Sequence, residues 1–554
     1  QPVTYMATVT PVAAGQIFDW YVNTVWQNTA GVNTFSYVPA NGDVVSCAAV
    51  PTGCYTGGIS NNIAMTVNPT PNVTNTWIGL TTDWNTASNW TMGIPMANHD
   101  VIIPSAALNF PIIGAPAVCH DITIQSGAQL IQNSTLAIGG KVYAQQLLTP
   151  GTWHFVSSPI NNATAYAFSN ANPVNFGQNL FLQTYNESWI NNPGTSPWVD
   201  VTNGPGEIMS AGKGYEAWSD NNHIITMEGT QLNSAAIVAP VTYTVGASYP
   251  GYNLIGNSYP SAINILGFQT WGSNMDASMW LWNGANYISS NGVIGDFTTV
   301  ASNQAFMVKA NAVGAMFTIP STAKTFGGSF LKSTVADVLK LKVSGNGYND
   351  AAFINFNSNA TANYDGQFDV EKIFGIDAAP QFYSTITNKN LSINTLPSLT
   401  SPVVVPMSLN VGANATYTIT ASEMSSFANG TTITLEDTKT GTFTNLMQQA
   451  VYTFTASPAD NANRFKVHFG VNGINENGNG NISIYSNSNV IYVNNSSNEV
   501  VKEIVVMNVL GQEILNKKAA NTTVNTITMD VASAYYVVKV VTENKVYTEK
   551  VYVR

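Results

Sequence analysis

LKLKVSG, residues 339–345, puts Leu339, Leu341 and Val343 on one face of an extended chain and Lys340, Lys342 and Ser344 on the other. That is the two-residue period of a half-buried strand, and no helical spacing fits it. The same period, or a short β-branched and aromatic run, recurs in TWHFVSSP (152–159), YNLIGNSY (252–259), QAFMVKA (304–310), AFINFNS (352–358) and YTITASE (417–423). Clusters of Gly, Asn, Asp and Pro separate these runs, and amphipathic helices of three turns are absent. The pattern predicts an all-β, multidomain string of β-sandwich domains ending in a small sandwich.

Composition narrows the class further. Of 554 residues only 9% are charged, while 45% are hydrophobic. Soluble proteins carry roughly 25% charge, so neutral polar residues have taken the place of charge here. Disorder combines low hydrophobicity with high net charge, which this chain does not do. A net charge of −11 argues against a nucleic-acid partner, which needs clustered Lys and Arg. Charge is also uneven. From Glu499 to Arg554 there are 13 charged residues in 56, against 36 in the preceding 498, so the end of the chain has its own surface chemistry. No apolar run is long enough for a membrane helix. A chain opening at Gln1, without Met or a signal segment, reads as starting inside a processed or longer precursor.

Turn and linker signals predict six segments. Residues 1–70 read as an Ig-like β-sandwich closed by the linker Asn68-Pro69-Thr70-Pro71, and 71–146 as a Trp-rich β module. Within the latter, DITIQSGAQLIQNSTLAIGG (121–140) alternates as a flat sheet or a single β-solenoid rung does. Residues 147–330 read as a duplicated β unit, because four pairs of stretches recur in one order. GTWHFVSSP (151–159) matches GYNLIGNSYP (251–260), and LFLQTYNESW (180–189) matches SMWLWNGANY (278–287). Likewise GKGYEA (212–217) matches NQAFMV (303–308), and ITMEG (225–229) matches FTIPS (317–321). Residues 331–470 form a further β-sandwich, 471–480 a flexible Gly/Asn linker, and 481–554 a last small sandwich.

The search for chemistry is mostly negative. Gly-x-Ser-x-Gly, His-Glu-x-x-His and Cys-x-x-Cys patterns are missing, so no catalytic residue, no cofactor and no metal ligand is assigned. The histidines at 99, 120, 154, 223 and 468 have no ligand spacing and read as structural. Gly206 to Lys213 has the wrong spacing for a phosphate loop and no helix after it. Asp365 and Asp369 lack the calcium-loop pattern and read as a solvated turn. Cys47 and Cys54 are close enough for a hairpin-spanning disulfide, though two unpaired thiols fit equally, and Cys119 reads as a small buried residue. Trp189, Trp198, Trp218, Trp271, Trp280 and Trp282 read first as core or interface aromatics. Trp280 and Trp282 are the candidates for stacking on a glycan.

The C-terminal unit resembles the type A C-terminal sorting domain of type IX secretion substrates of Bacteroidota. The resemblance rests on ISIYSNSNVIYVN (482–494), VVMNVLGQEILNKK (505–518) and AYYVVKVVTENKVYTEKVYV (534–553), with Asn508, Gly511, Gln512, Tyr535, Lys539, Tyr547 and Lys550 on the family's positions. Ala534 stands where Gly is usual, and the common Pro-Asn-Pro opening is missing. The resemblance implies recognition of 481–554 by the type IX translocon and an outer-membrane shuttle β-barrel protein, then removal by a sortase-like enzyme. Upstream, WIGLTTDWNTASNW, GYNLIGNSYPSAI, NDAAFINFNSNATANYDGQFDVEKIFG and FDWYVNTVWQNTAGVNTFSYVPANGDVVSCAAV resemble modules of large cell-surface adhesins.

The expectation is therefore a secreted or cell-surface adhesin-like structural protein, not an enzyme and not membrane-spanning, with its surface ligand or glycan unidentified. The alternative is a carbohydrate-binding accessory region of a secreted polysaccharide-degrading enzyme. An enzyme hidden in 151–330 would instead need a deep pocket with converging carboxylates.

Overall fold

The computed structural model describes every residue except 1, 11–14, 52–56, 67–70, 328–334, 429, 471–481, 496–499, 519–521 and 544. Cys54, the 471–480 stretch and most of the Asn68–Pro71 stretch therefore lie outside the described residues. Strands take up 49% of the chain and helix 4%, so the fold is all-β and built of many sheets. The helical remainder is short 3₁₀ turns, and no described helix is long and apolar enough to cross a membrane.

Gln1–Val73 is one compact unit. Phe18–Val22 pairs with Val25–Ala30 through a tight turn in which Asn23 and Thr24 take φ of 49° and 66°, the left-handed geometry of a hairpin that follows strand twist. Val44–Ala49 pairs on the other side and carries Gly58–Ile59 and Ile63–Ala64 on its far edge. Val3–Met6 and Thr34–Tyr37 form a second small sheet. Tyr5, Phe18, Trp20, Val45 and Cys47 make the core.

The second unit is Thr74–Arg554. It opens on three buried indoles: Trp90 lies edge-on to Trp77 (5.0 Å) and to Trp84 (4.6 Å). Behind them the chain coils. His99–Ile103, Ile122–Ile124 and Val142–Leu148 stack in parallel, with Val101, Ile122 and Val142 in register. Ile112–Ile113 stacks on Ile131–Gln132, and Ala117–Cys119 on Leu136–Ile138. Where a flat sheet or a single solenoid rung was expected, successive turns of a coil are found. Its inward residues, among them Ile103, Cys119, Ile124 and Leu130, are buried.

Two four-stranded sheets follow. The first contains β1 (Trp153–Val156), β2 (Leu180–Tyr185), β3 (Trp198–Asp200) and β4 (Tyr215–Ser219), in the order β1-β4-β2-β3. The second contains β5 (Tyr252–Gly256), β6 (Met275–Trp282), β7 (Tyr287–Ser290) and β8 (Ala305–Ala310), in the order β5-β8-β6-β7. The same order occurs twice, and the contacts between the sheets are reciprocal. Ser157 N–H donates to the Asn303 carbonyl (2.8 Å), and Gly256 N–H donates to the Gly212 carbonyl (2.9 Å). Each bond joins the end of one sheet's first strand to the loop before the other sheet's last strand. At this seam the hydroxyls of Ser157 and Ser258 share a buried bond of 2.8 Å.

The cores do not follow the chain's punctuation. One buried cluster runs from Trp77 to Leu232, taking in the coil and one face of the first sheet, because His223–Gly229 pairs antiparallel with the coil strand Val142–Leu148. A second cluster, Ile237–Ala323, backs the second sheet. Residues 338–470 form a large sheet wrapped around Leu341, Phe382, Tyr417, Ile433 and Val467. Inside it Arg464 grips Asp437 with two bonds (2.8 and 2.7 Å) and lies over the ring of Phe454. The described residues of 482–553 form a three-stranded and a four-stranded sheet about Ile491, Ile504, Val506, Val538 and Val553.

The seam leaves no room for a methyl group at Gly256. A Cβ there would fall 2.1 Å from the Ser157 hydroxyl and 2.7 Å from the Lys213 carbonyl. Gly256→Ala should destabilise the unit by about 1–3 kcal/mol in urea unfolding. Adding Ser157→Ala should relieve only part of this, since the Lys213 backbone remains.

Candidate functional site

The two repeated sheets and the 338–470 sandwich meet around a cleft of about 780 Å³. Its floor comes from alternate residues that β-geometry sends to one face: Tyr252 on β5, Asp276 on β6, Lys309 on β8, with Tyr364, Glu371 and Lys389 from the sandwich. Lys309 donates to Glu371 (2.6 Å) and sits 3.7 Å from Asp276. Lys389 also donates to Glu371. Tyr252 O–H donates to Glu371 (2.8 Å) and Tyr364 O–H to Asp276 (2.9 Å). Lys389 lies 4.4 Å from the centre of the Tyr364 ring, a cation–π contact. Burial would push the Glu371 carboxyl up, but the bonds from Lys309 and Lys389 outweigh it and hold the group at about 2. Two cations and two anions thus neutralise one another in a fully bonded floor. That arrangement leaves no bare charge on these four side chains to capture an ion.

The first sheet contributes differently. Opposite its Trp77–Leu232 core face, the register lines residues up in rows. Trp153, Trp218 and Phe181 form one row on β1, β4 and β2. Phe155, Glu216, Gln183 and Asp200 form the next, and Tyr185 and Trp198 the third. The third row lines the cleft. The first row, with Gln183 and Asp200, lines a shallow open depression on the outer surface.

Glu216 is the anomaly in this face. It is 6% exposed, and its carboxyl has no hydrogen-bond partner among the described residues. Burial pushes its carboxyl up to about 8. In the pairing of the repeats, Tyr215 corresponds to Phe306, so Glu216 stands where the second sheet has the buried Met307.

The sequence-selected tryptophans separate here. Trp280 is fully buried, and its indole N–H donates to the Glu371 carbonyl (2.9 Å). It therefore offers no face to a sugar, and that expectation is corrected. Trp282 is half-buried, 5.0 Å from Tyr287, and borders a second cleft of about 450 Å³ that also contains Trp153 and His154. The open row was missed, although the alternation of Trp153 with Phe155, and of Phe181 with Gln183 and Tyr185, carried a signal for it.

Other candidates resolve as follows. Asp369 is buried and not solvated as expected. It accepts the N–H groups of Thr395 (2.7 Å) and Asp365 (2.8 Å), closing its loop. Among the described residues one cluster could hold a metal, Asp100, His120 and Asp121. His120 Nδ1 lies 2.8 Å from Asp100 and 3.2 Å from Asp121. The same carboxylates accept backbone N–H groups from the next coil, including that of Lys141 (2.7 Å), so they already serve to close the rungs. Cys47 is buried on its strand.

In the C-terminal sandwich, Asn508 organises a turn. Its Oδ1 accepts the N–H groups of Leu510 and Gln512 (3.0 Å each), and its Nδ2 donates to Gln512 Oε1 (2.7 Å). Gly511 takes a φ of 82°, which an L side chain resists. The turn presents Val509 and Leu510 to solvent. Lys550 lies 4.6 Å from the centre of the Tyr535 ring. Lys539 lies on a central strand between Val505 and Thr548, and Tyr547 packs against the core.

Comparison with known proteins gives three similarities. Residues 339–469 match a family described as a domain of unknown function, DUF8693. The chain is 24% identical over 502 residues to the minor fimbrium subunit Mfa5 of Porphyromonas gingivalis, an alignment covering 71% of this chain. It spans 39% of that protein's length. A solved biofilm-associated protein, BSP domain, overlaps 73% of this chain and 97% of its own at 10% identity, with a TM-score of 0.16.

Glu216 makes a pH prediction. The native carboxyl keeps its proton up to about 8, whereas the unfolded one releases it near 4.5. Between these values the native state binds more protons, so stability falls as pH rises. Thermal melts should show a declining midpoint from about pH 5 to about pH 8 in the wild type. Glu216→Gln should flatten that decline; an unchanged slope would show that Glu216 does not cause it.

Proposed function

We propose that this chain belongs to a secreted, cell-surface, adhesin-like structural protein, carried across the outer membrane by the type IX secretion system through residues 481–554. The observation that carries the export reading is the C-terminal sandwich itself. The residues on which the sorting-domain resemblance rests, Asn508, Gly511 and Gln512, build one turn at the surface. A turn closed by its own side chains and tipped with apolar Val509 and Leu510 is a shape that a translocon or a shuttle β-barrel protein can read after folding. A sortase-like enzyme then removes the domain in this reading.

Similarity to a fimbrium subunit supports the surface role. So does the physical character of the chain. Sheets with few charges and a fully neutralised cleft floor suit a stable contact surface, and a non-enzymatic role fits them. The second reading, a carbohydrate-binding accessory region of a secreted polysaccharide-degrading enzyme, is favoured by the open aromatic row on the first sheet.

Fusion of 481–554 to a reporter in a host with this secretion pathway should place the reporter outside the cell. A reporter retained in the periplasm would sink the export assignment. Gly511→Val in the same fusion should lower export at unchanged expression, because a β-branched residue resists the positive φ of the turn.

A further inference from the structure

We propose that the outer face of the first repeated sheet is a binding platform for a neutral polysaccharide chain, with Trp153, Trp218 and Phe181 as its stacking rings. This deepens the surface-protein reading by naming what such a protein grips, and it rests on no part of the export route.

Neighbouring strands lie about 4.8 Å apart, so a ring on each of three adjacent strands makes a band about 10 Å long. That is the length of a short run of linked sugar rings. The band borders an open depression: Phe181 is 50% exposed and stands 5.7 Å from Trp218 with its plane tilted by 60°, while Trp153 and Trp218 are half-buried. The indole N–H groups of Trp153 and Trp218 have no partner among the described residues, which leaves donors beside the stacking faces.

In the next row, about 7 Å along the strands, Phe155 and Glu216 are buried, and the residues left at the surface, Gln183 and Asp200, are polar. Gln183 donates to Asp200 (2.8 Å), and the exposed Asp200 keeps lone pairs for further donors. An apolar band beside acceptor groups matches a pyranose chain, whose C–H faces stack while its hydroxyl edges donate.

Charge decides between ligand classes. None of the residues in the three rows is Lys or Arg, whereas Asp200 is a carboxylate without a cation partner in the rows. An acidic polysaccharide would meet repulsion, and a neutral one would meet acceptors. A protein partner is disfavoured by size, because a stable interface needs about 800 Å² from each side with an apolar centre. Here the apolar band is one row wide.

The test uses the purified chain, so its failure is separate from a failure of export. Affinity electrophoresis through gels containing mannan, xyloglucan or dextran, with alginate as the acidic comparison, reads binding as retardation. Retardation in at least one neutral polymer is expected. Trp218→Ala and the half-exposed Phe181→Ala should each weaken it by roughly tenfold, the scale of one aromatic contact. Near-UV circular dichroism of Phe181→Ala shows whether the fold is kept. The proposal is overturned by no retardation in any neutral polymer, by retention in alginate alone, or by retention that survives both substitutions.

Discussion

Two backbone hydrogen bonds, Ser157 to Asn303 and Gly256 to Gly212, set how the repeated sheets face each other. They are equivalent under the repeat, and each uses a donor and an acceptor that strand pairing had left over. With the Gly214 N–H donating to the Leu254 carbonyl (3.2 Å), they hold the sheets in one register across the seam. That register brings Phe155, Trp280 and Met307 into one buried cluster with Phe353, Val370 and Ile393 of the following sandwich. The cleft is what remains beside this cluster, and the open aromatic row is the part of the first sheet that the cluster does not cover.

Scarce charge shapes the interior as much as the surface. Lys372 and Asp350 pair at 2.7 Å with almost no exposure, and Arg464 holds Asp437 in the same way. Burial of such ions is costly, and removal of one partner leaves the other uncompensated in a medium that cannot solvate it. Glu216 shows the other solution to burial. It has no cation to pair with, so its carboxyl keeps the proton.

Some of the site was legible in the chain. The stretches around Trp153 and Tyr252, Phe181 and Trp280, and Tyr215 and Phe306 fall on corresponding strands of the two sheets. Alternation shows which residues of a strand share a face. It does not show which face is covered, and this separates the tryptophans. Trp280 and Trp218 look alike in sequence, yet one is sealed under the sandwich while the other borders open solvent. The Asp100–His120–Asp121 contact was invisible for a different reason. It joins Asp100 on one turn of the coil to His120 and Asp121 on the next, and only the stacking of the turns brings them together.

By itself the sequence determined the all-β class, since period-two patterning and turn residues act locally and need no partner strand. It also determined the distinct surface chemistry of Glu499–Arg554, because charge is a property of composition. Tertiary structure alone decided which strands share a core. The pairing of His223–Gly229 with Val142–Leu148 joins the coil to the first repeated sheet, and all four strands of that sheet lie between the two partners in the chain. No local pattern encodes a contact made across such an interval. Tertiary structure likewise decided which aromatic rings stay open, because exposure depends on what packs against a face and not on the residues that compose it.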